Sequence, residues 1–114
     1  MPPGKRCWTL EGARALLPDV RERTAVAVAE VQTLLDQRER QKGEAPSAEA
    51  IDAQVAKVTA DWARAMEAFG LEVKGLWLVD FDNGSGCYCW RWPEAELAYF
   101  HGYEEGFAGR VRIQ

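Results

Sequence analysis

Apolar positions recur along the chain with two different periods, and the change falls at Gly70. Ile51, Val55, Val58, Trp62, Ala65 and Phe69 step by 4, 3, 4, 3 and 4, a strict heptad seam on one helix face. Ser47 is placed to cap this helix, and Gly70 to stop it in the left-handed conformation that glycine takes without steric cost. Upstream, Thr9 is an N-cap for "LEGARALL", whose Leu10, Ala13, Leu16 and Leu17 share a side, although Gly12 stands where a capping-box glutamate would help. Pro18 lacks an N–H and disfavours helix at Leu17. The expectation is a kink, or a restart with Pro18 in the first turn of a longer helix reaching about Lys42. Val20, Thr24, Ala27, Val31, Leu34 and Arg38 mark its seam, and Val28 and Leu35 widen it over the first half. Beyond Asp36 every residue through Lys42 is polar, so that end stands in water. With "KGEAPS" (42–47) as a turn or loop, two segments of roughly 30–35 Å fold most economically as an antiparallel hairpin.

After Gly70 the period shortens. "LWLVDF" (76–81), "CYCWRW" (87–92) and "LAYFHGY" (97–103) are rich in aromatic and β-branched residues, and "DNGSG" and "PEAE" between them are turn chemistry. A three-stranded antiparallel meander is predicted, with 107–113 adding a fourth strand or wrapping the edge. The expected fold is therefore α+β, a single domain over 1–114, with a helical part at 9–70 and a β-meander at 71–114. Trp77, Val79 and Phe81 alternate with Leu76 and Leu78, and Tyr88, Trp90 and Trp92 alternate with cysteines. One sheet face should pack on the helices. The other needs a cover, since monomers rarely leave such a patch in water, and a two-fold homodimer is the simplest solution.

Composition narrows the function classes. A chain of 114 residues holds one core, and its charged and hydrophobic fractions are those of a soluble globular protein. The net charge of −4 argues against a nucleic-acid binder; "RERQK" (38–42) is diluted by Glu39 and Glu44, and Arg110 with Arg112 makes a weak footprint. No run approaches the roughly 18 apolar residues of a membrane span. "MPPGKRCW" carries no apolar h-region, so no secretory signal is expected. Three cysteines are an odd count, and Cys87 and Cys89 at i and i+2 are poor disulfide geometry. Reduced thiols in a cytoplasm fit best.

"WTLEGARALLPDV", "GLEVKGLWLVDF" and "CWRWPEAELAYFHGYEEGFAGR", in that order, cover essentially the whole chain. Together they resemble the bacterial domain-of-unknown-function 2203 family. The resemblance rests on Thr9, Leu16, Leu17, Pro18, Asp80 and Phe81, then Cys89, Trp90, Arg91, Glu94 and His101, and finally Gly106 through Arg110. It implies no established activity. Departures from the family pattern include Trp77 for a glycine before Leu-Val-Asp-Phe, Phe100 for a tryptophan, and Cys7 and Cys87 for aromatics. A site needing three cysteines would be private to this chain.

Candidate chemistry gathers around the one histidine. A zinc site from Cys7, Cys87, Cys89 and His101 has suitable ligands, but a strand Cys-x-Cys lacks Cys-x-x-Cys turn geometry and Cys7 is distant. One register sets Asp80, Tyr88 and His101 in a cross-strand row, an Asp–His contact for tautomer control or metal ligation. Another sets Cys89 opposite His101, a thiol–imidazole pair. Both stay open. Glu94 lies among turn carboxylates, and Arg91 and Arg110 offer planar forks for an anion. No catalytic residue is assigned; the ligand-binding candidates are Asp80, Cys89, Arg91, Glu94, His101 and Arg110. The expected function is a non-catalytic dimeric module in the cytoplasm that binds a small ligand or protein partner. The alternative is a small metal-binding protein, or a hydrolase-like enzyme, centred on His101.

Overall fold

A computed structural model describes residues 7–41, 43 and 46–114; part of the expected loop at 42–47 and of the N-terminal segment lies outside them. The architecture is α+β: a long helical hairpin on one face of an antiparallel sheet. Helix α1 (Leu10–Arg40) and helix α2 (Ala48–Ala68) pack along each other, and five strands follow as a simple meander. These are β1 (Glu72–Gly75), β2 (Leu78–Asp82), β3 (Cys87–Arg91), β4 (Tyr99–His101) and β5 (Val111–Arg112). No helix among the described residues is long and apolar enough to cross a membrane.

The helix caps are those expected. Thr9 Oγ1 accepts from Gly12 N at 2.9 Å, Ser47 Oγ accepts from Ala50 N at 3.1 Å, and Gly70 has φ 91°. Pro18, however, neither kinks the chain into two helices nor starts the second; α1 runs through it as one helix of 31 residues. Pro18 lies on the exposed side, while Leu17 and Val20 on either side of it are buried. Burial on both sides of the break offsets the roughly 3 kcal/mol that proline costs inside a helix.

The sheet has five strands rather than three or four. β1 carries a single apolar residue, Val73, between Glu72 and Lys74, too little alternation to register as a strand. Leu76 and Trp77 form the β1–β2 turn instead of opening β2. Trp77 has φ 60°, in the left-handed region that favours glycine, at the position where the family pattern noted above carries one. Its indole stands edge-on to Trp62 at 4.9 Å between centroids, a contact glycine would forgo. The segment after β4 does both things expected of it: Phe107–Gly109 forms a 3-10 turn over the sheet, then β5 pairs with β4.

Cross-strand pairing assigns the faces. Val79 lies opposite Trp90 and Phe81 opposite Tyr88; Val79, Phe81 and Trp90 are fully buried against Leu17, Val20, Trp62 and Met66. Trp90 is thus covered by its own helices. Leu78, Asp80, Asp82, Cys87, Cys89, Arg91, Tyr99 and His101 fall on the outer face. The cover for that face also comes from this chain, residues 102–110 folding back across it.

Gly86 allows close approach at the rim. At Gly86 a Cβ would lie 2.6 Å from the His101 carbonyl oxygen and 2.6 Å from the Phe100 ring. Gly86→Ala is therefore expected to cost about 1–3 kcal/mol through displacement of β4. Denaturant unfolding of the purified variant measures this, and an unchanged midpoint would contradict the packing.

Candidate functional site

The outer face begins at β3, whose alternation turns Cys87, Cys89 and Arg91 away from the helices. Asp80 on β2 stands opposite Cys89, and His101 on β4 stands opposite Cys87. Neither register anticipated from the sequence occurs. Phe100 rather than His101 is the partner of Tyr88, and Tyr99 is the partner of Cys89. The physical cause is the segment between β3 and β4: Leu97 is buried and its carbonyl accepts Arg14 Nη2 at 3.1 Å, which holds it outside the ladder. His101 nevertheless reaches diagonally over β3, its Nε2 lying 2.9 Å from Asp80 Oδ2.

Both partners are almost wholly enclosed, with side-chain exposures of 4% for His101 and 2% for Asp80. His101 Nδ1 lies 2.8 Å from the Gly102 carbonyl. The two ring nitrogens thus face two acceptors, so the network closes only with a further proton, on the imidazole or on the carboxyl. The second carboxylate oxygen, Asp80 Oδ1, is buried with no donor among the described residues. Cys89 completes the group: one ligand-type atom each from Asp80, Cys89 and His101 lie within 4.8 Å of one another. These residues, with Cys87, line a recess of about 290 Å³, and Lys74, Leu78 and Phe107 stand around it. Lys74 is held cationic by its hydrogen bond to Glu72 at 2.9 Å.

Arg91, Glu94 and Arg110 form a second, adjoining group. Arg110 binds both Glu94 oxygens, at 3.1 and 2.6 Å, and its guanidinium lies 4.0 Å from the Tyr99 ring centroid and 4.1 Å from that of Phe107. Glu94 Oε1 also accepts from Arg91 N at 2.9 Å. Glu94 and Arg110 are therefore occupied with each other, as a clamp that fixes residues 107–110 over β3 and β4. The Arg91 side chain, itself exposed, packs over Phe107. Tyr103, not singled out from the sequence, is a second fastener; its hydroxyl donates to Asp82 Oδ1 at 2.7 Å.

The geometry is not that of a thiol nucleophile. Burial pushes the Cys89 thiol up to about 12, with Asp80 adding to it and Arg110 opposing. Burial does the same to Cys87, also with Asp80 next in importance, again to about 12. Both stay protonated at neutral pH, and neither ring nitrogen of His101 is left to take a thiol proton. Cys7, by contrast, is exposed. Iodoacetamide at neutral pH should modify Cys7 of the metal-free protein well before Cys87 or Cys89, as read by peptide mass mapping. Labelling of Cys89 at the rate of Cys7 would show that the outer face is open.

Comparison with known proteins follows the same lines as the motifs. No curated protein and no solved structure matches the chain. A family model described as "Uncharacterized conserved protein (DUF2203)" matches residues 6–113. Spanning nearly all of the sequence, that match places the chain in the DUF2203 family.

Proposed function

We propose that this protein is a non-catalytic binding module whose ligand seats in the outer-face recess, on Asp80, Cys89 and His101. One observation carries the reading: a buried carboxylate keeps one oxygen without a donor. Polar atoms buried in native proteins almost always have partners, and an unpartnered charged one costs more than 1 kcal/mol. Such a cost is understandable where a ligand supplies the missing contact. The protonated thiols and the fully engaged imidazole support binding over turnover.

Asp80→Asn separates a binding role from a structural one. The amide N–H can donate to His101 Nε2, and removing the charge removes its desolvation cost. The ligand-free variant is expected to be more stable than wild type by about 1 kcal/mol, measured by chemical denaturation. A loss of stability of similar size would mean that the carboxylate serves the fold alone.

Self-association belongs to the same reading, and of the helices and the sheet it is the helices that support it. Asp19, Glu22, Val26, Ala29, Thr33 and Arg40 recur on α1 at spacings of 3, 4, 3, 4 and 7, and all are exposed. Val26, 55% exposed, lies over an apolar trench floored by Val58 and Leu34 between α1 and α2. Antiparallel two-fold pairing of this face sets the acidic end of one copy beside Arg40 of the other. Light scattering should give twice the chain mass, and Val26→Glu should restore the monomer. A wild-type monomer at all concentrations would remove the dimer from the proposal.

A further inference from the structure

We propose that Asp80, Cys89 and His101 bind a single divalent transition metal of the zinc class, with a fourth coordination position open to the recess. This rests on the binding reading above and names its ligand. Metal–ligand bonds of about 2.0–2.3 Å place two ligands on one ion about 3–4 Å apart. Three ligand atoms already within 4.8 Å of one another need only small adjustments to meet an ion between them. The site is compact before anything binds.

The surroundings are arranged as a ligand shell requires. The Gly102 carbonyl, 2.8 Å from His101 Nδ1, is placed to accept Nδ1–H, and Nε2, 2.9 Å from Asp80, becomes a ligand once the proton it shares with Asp80 is lost. A backbone carbonyl on the outer nitrogen of a metal-binding histidine fixes tautomer and ring orientation in this way. One thiolate, one carboxylate and one neutral imidazole carry two negative charges, which a divalent ion cancels inside a buried face. Asp80 Oδ1, without a donor among the described residues, offers the carboxylate a second point of attachment. On binding, the sulfur and Nε2 lone pairs coordinate the ion. The Cys89 proton, and the proton shared between His101 and Asp80, leave to solvent.

Ligand chemistry selects the metal. Sulfur and imidazole with a single carboxylate suit zinc or cobalt(II); calcium and magnesium prefer shells made of oxygen. Cys87 stands outside the group of three, and Cys7 is exposed. The set is therefore one cysteine, one histidine and one aspartate, not the cysteine-rich cluster that the counts alone suggest.

The test is a cobalt(II) titration of untagged, reduced protein after treatment with a chelator. The expected result is one equivalent bound, with a thiolate-to-cobalt charge-transfer band that zinc abolishes by displacement. Cys89→Ser should lose the band and Cys87→Ser should keep it. Asp80→Asn should bind at least about tenfold more weakly. Zinc should raise the unfolding temperature of wild type by more than that of Asp80→Asn. Absence of the band, or its survival in Cys89→Ser, overturns the assignment; should Cys89→Ser not fold, the isosteric Asp80→Asn decides. If cobalt and zinc leave wild type untouched while Asp80→Asn still stabilises the metal-free protein, the metal assignment alone falls. If Asp80→Asn destabilises it as well, the binding reading falls too.

Discussion

Burial of Trp90 is the constraint on which the outer face depends. Trp90 is completely enclosed opposite Val79, and the two-residue period of a strand then sends Cys89 and Arg91 to the other side. A slip of one residue would expose the indole and drive the thiols toward the helices. Loss of one large buried side chain costs on the order of 2–3 kcal/mol, enough to select a register. Core and recess are thus two faces of one decision. Glu94 reinforces the coupling: its carbonyl accepts Trp90 Nε1 and Arg21 Nε, both at 2.9 Å, while its carboxylate holds Arg110 on the far side. One residue fastens the helices, the central strand and the covering segment.

That covering segment explains why polar groups on a sheet face are buried at all. β5 has two residues and the 3-10 turn three, too little backbone pairing to hold residues 102–110 down by itself. The side chains do it instead. Arg110 lies between Tyr99 and Phe107 while paired with Glu94, and a guanidinium is suited to both stacking and forked pairing at once. Once covered, Asp80 and His101 leave water, and a buried pair of this kind seldom repays its desolvation. Stability is therefore a poor reason for the pair to exist.

Much of the fold was legible because periods survive in one dimension. The heptad from Ile51 to Phe69, the stop at Gly70 and the alternation in "CYCWRW" each state a local preference that packing then honours. β1 was illegible because its pairing comes from β2, not from any pattern within "EVKG". Pro18 misled because a local penalty was outweighed by burial that only the assembled core reveals. The site was legible by type and illegible by arrangement. Asp80, Cys89 and His101 were all named, yet the choice between an Asp–His and a Cys–His contact assumed a direct row. The structure has a diagonal one, and that offset depends on where Leu97 is pinned by Arg14. Nor does the sequence show that residues 102–110 fold back to cover the outer face from within.

The departures from the family pattern sharpen the choice among the cysteines. Cys7 and Cys87 replace aromatics, and the structure leaves both outside the group of three. Asp80, Cys89 and His101 are all positions on which the resemblance rested, as are Glu94 and Arg110, which hold the cover in place. Trp77 departs differently, forcing a left-handed backbone where glycine would be relaxed and gaining an edge-on ring contact with Trp62 in return. That exchange is confined to the helix-facing side. The three proposed ligands are thus positions on which the resemblance rests, while Cys87, which lines the same recess, departs from the pattern.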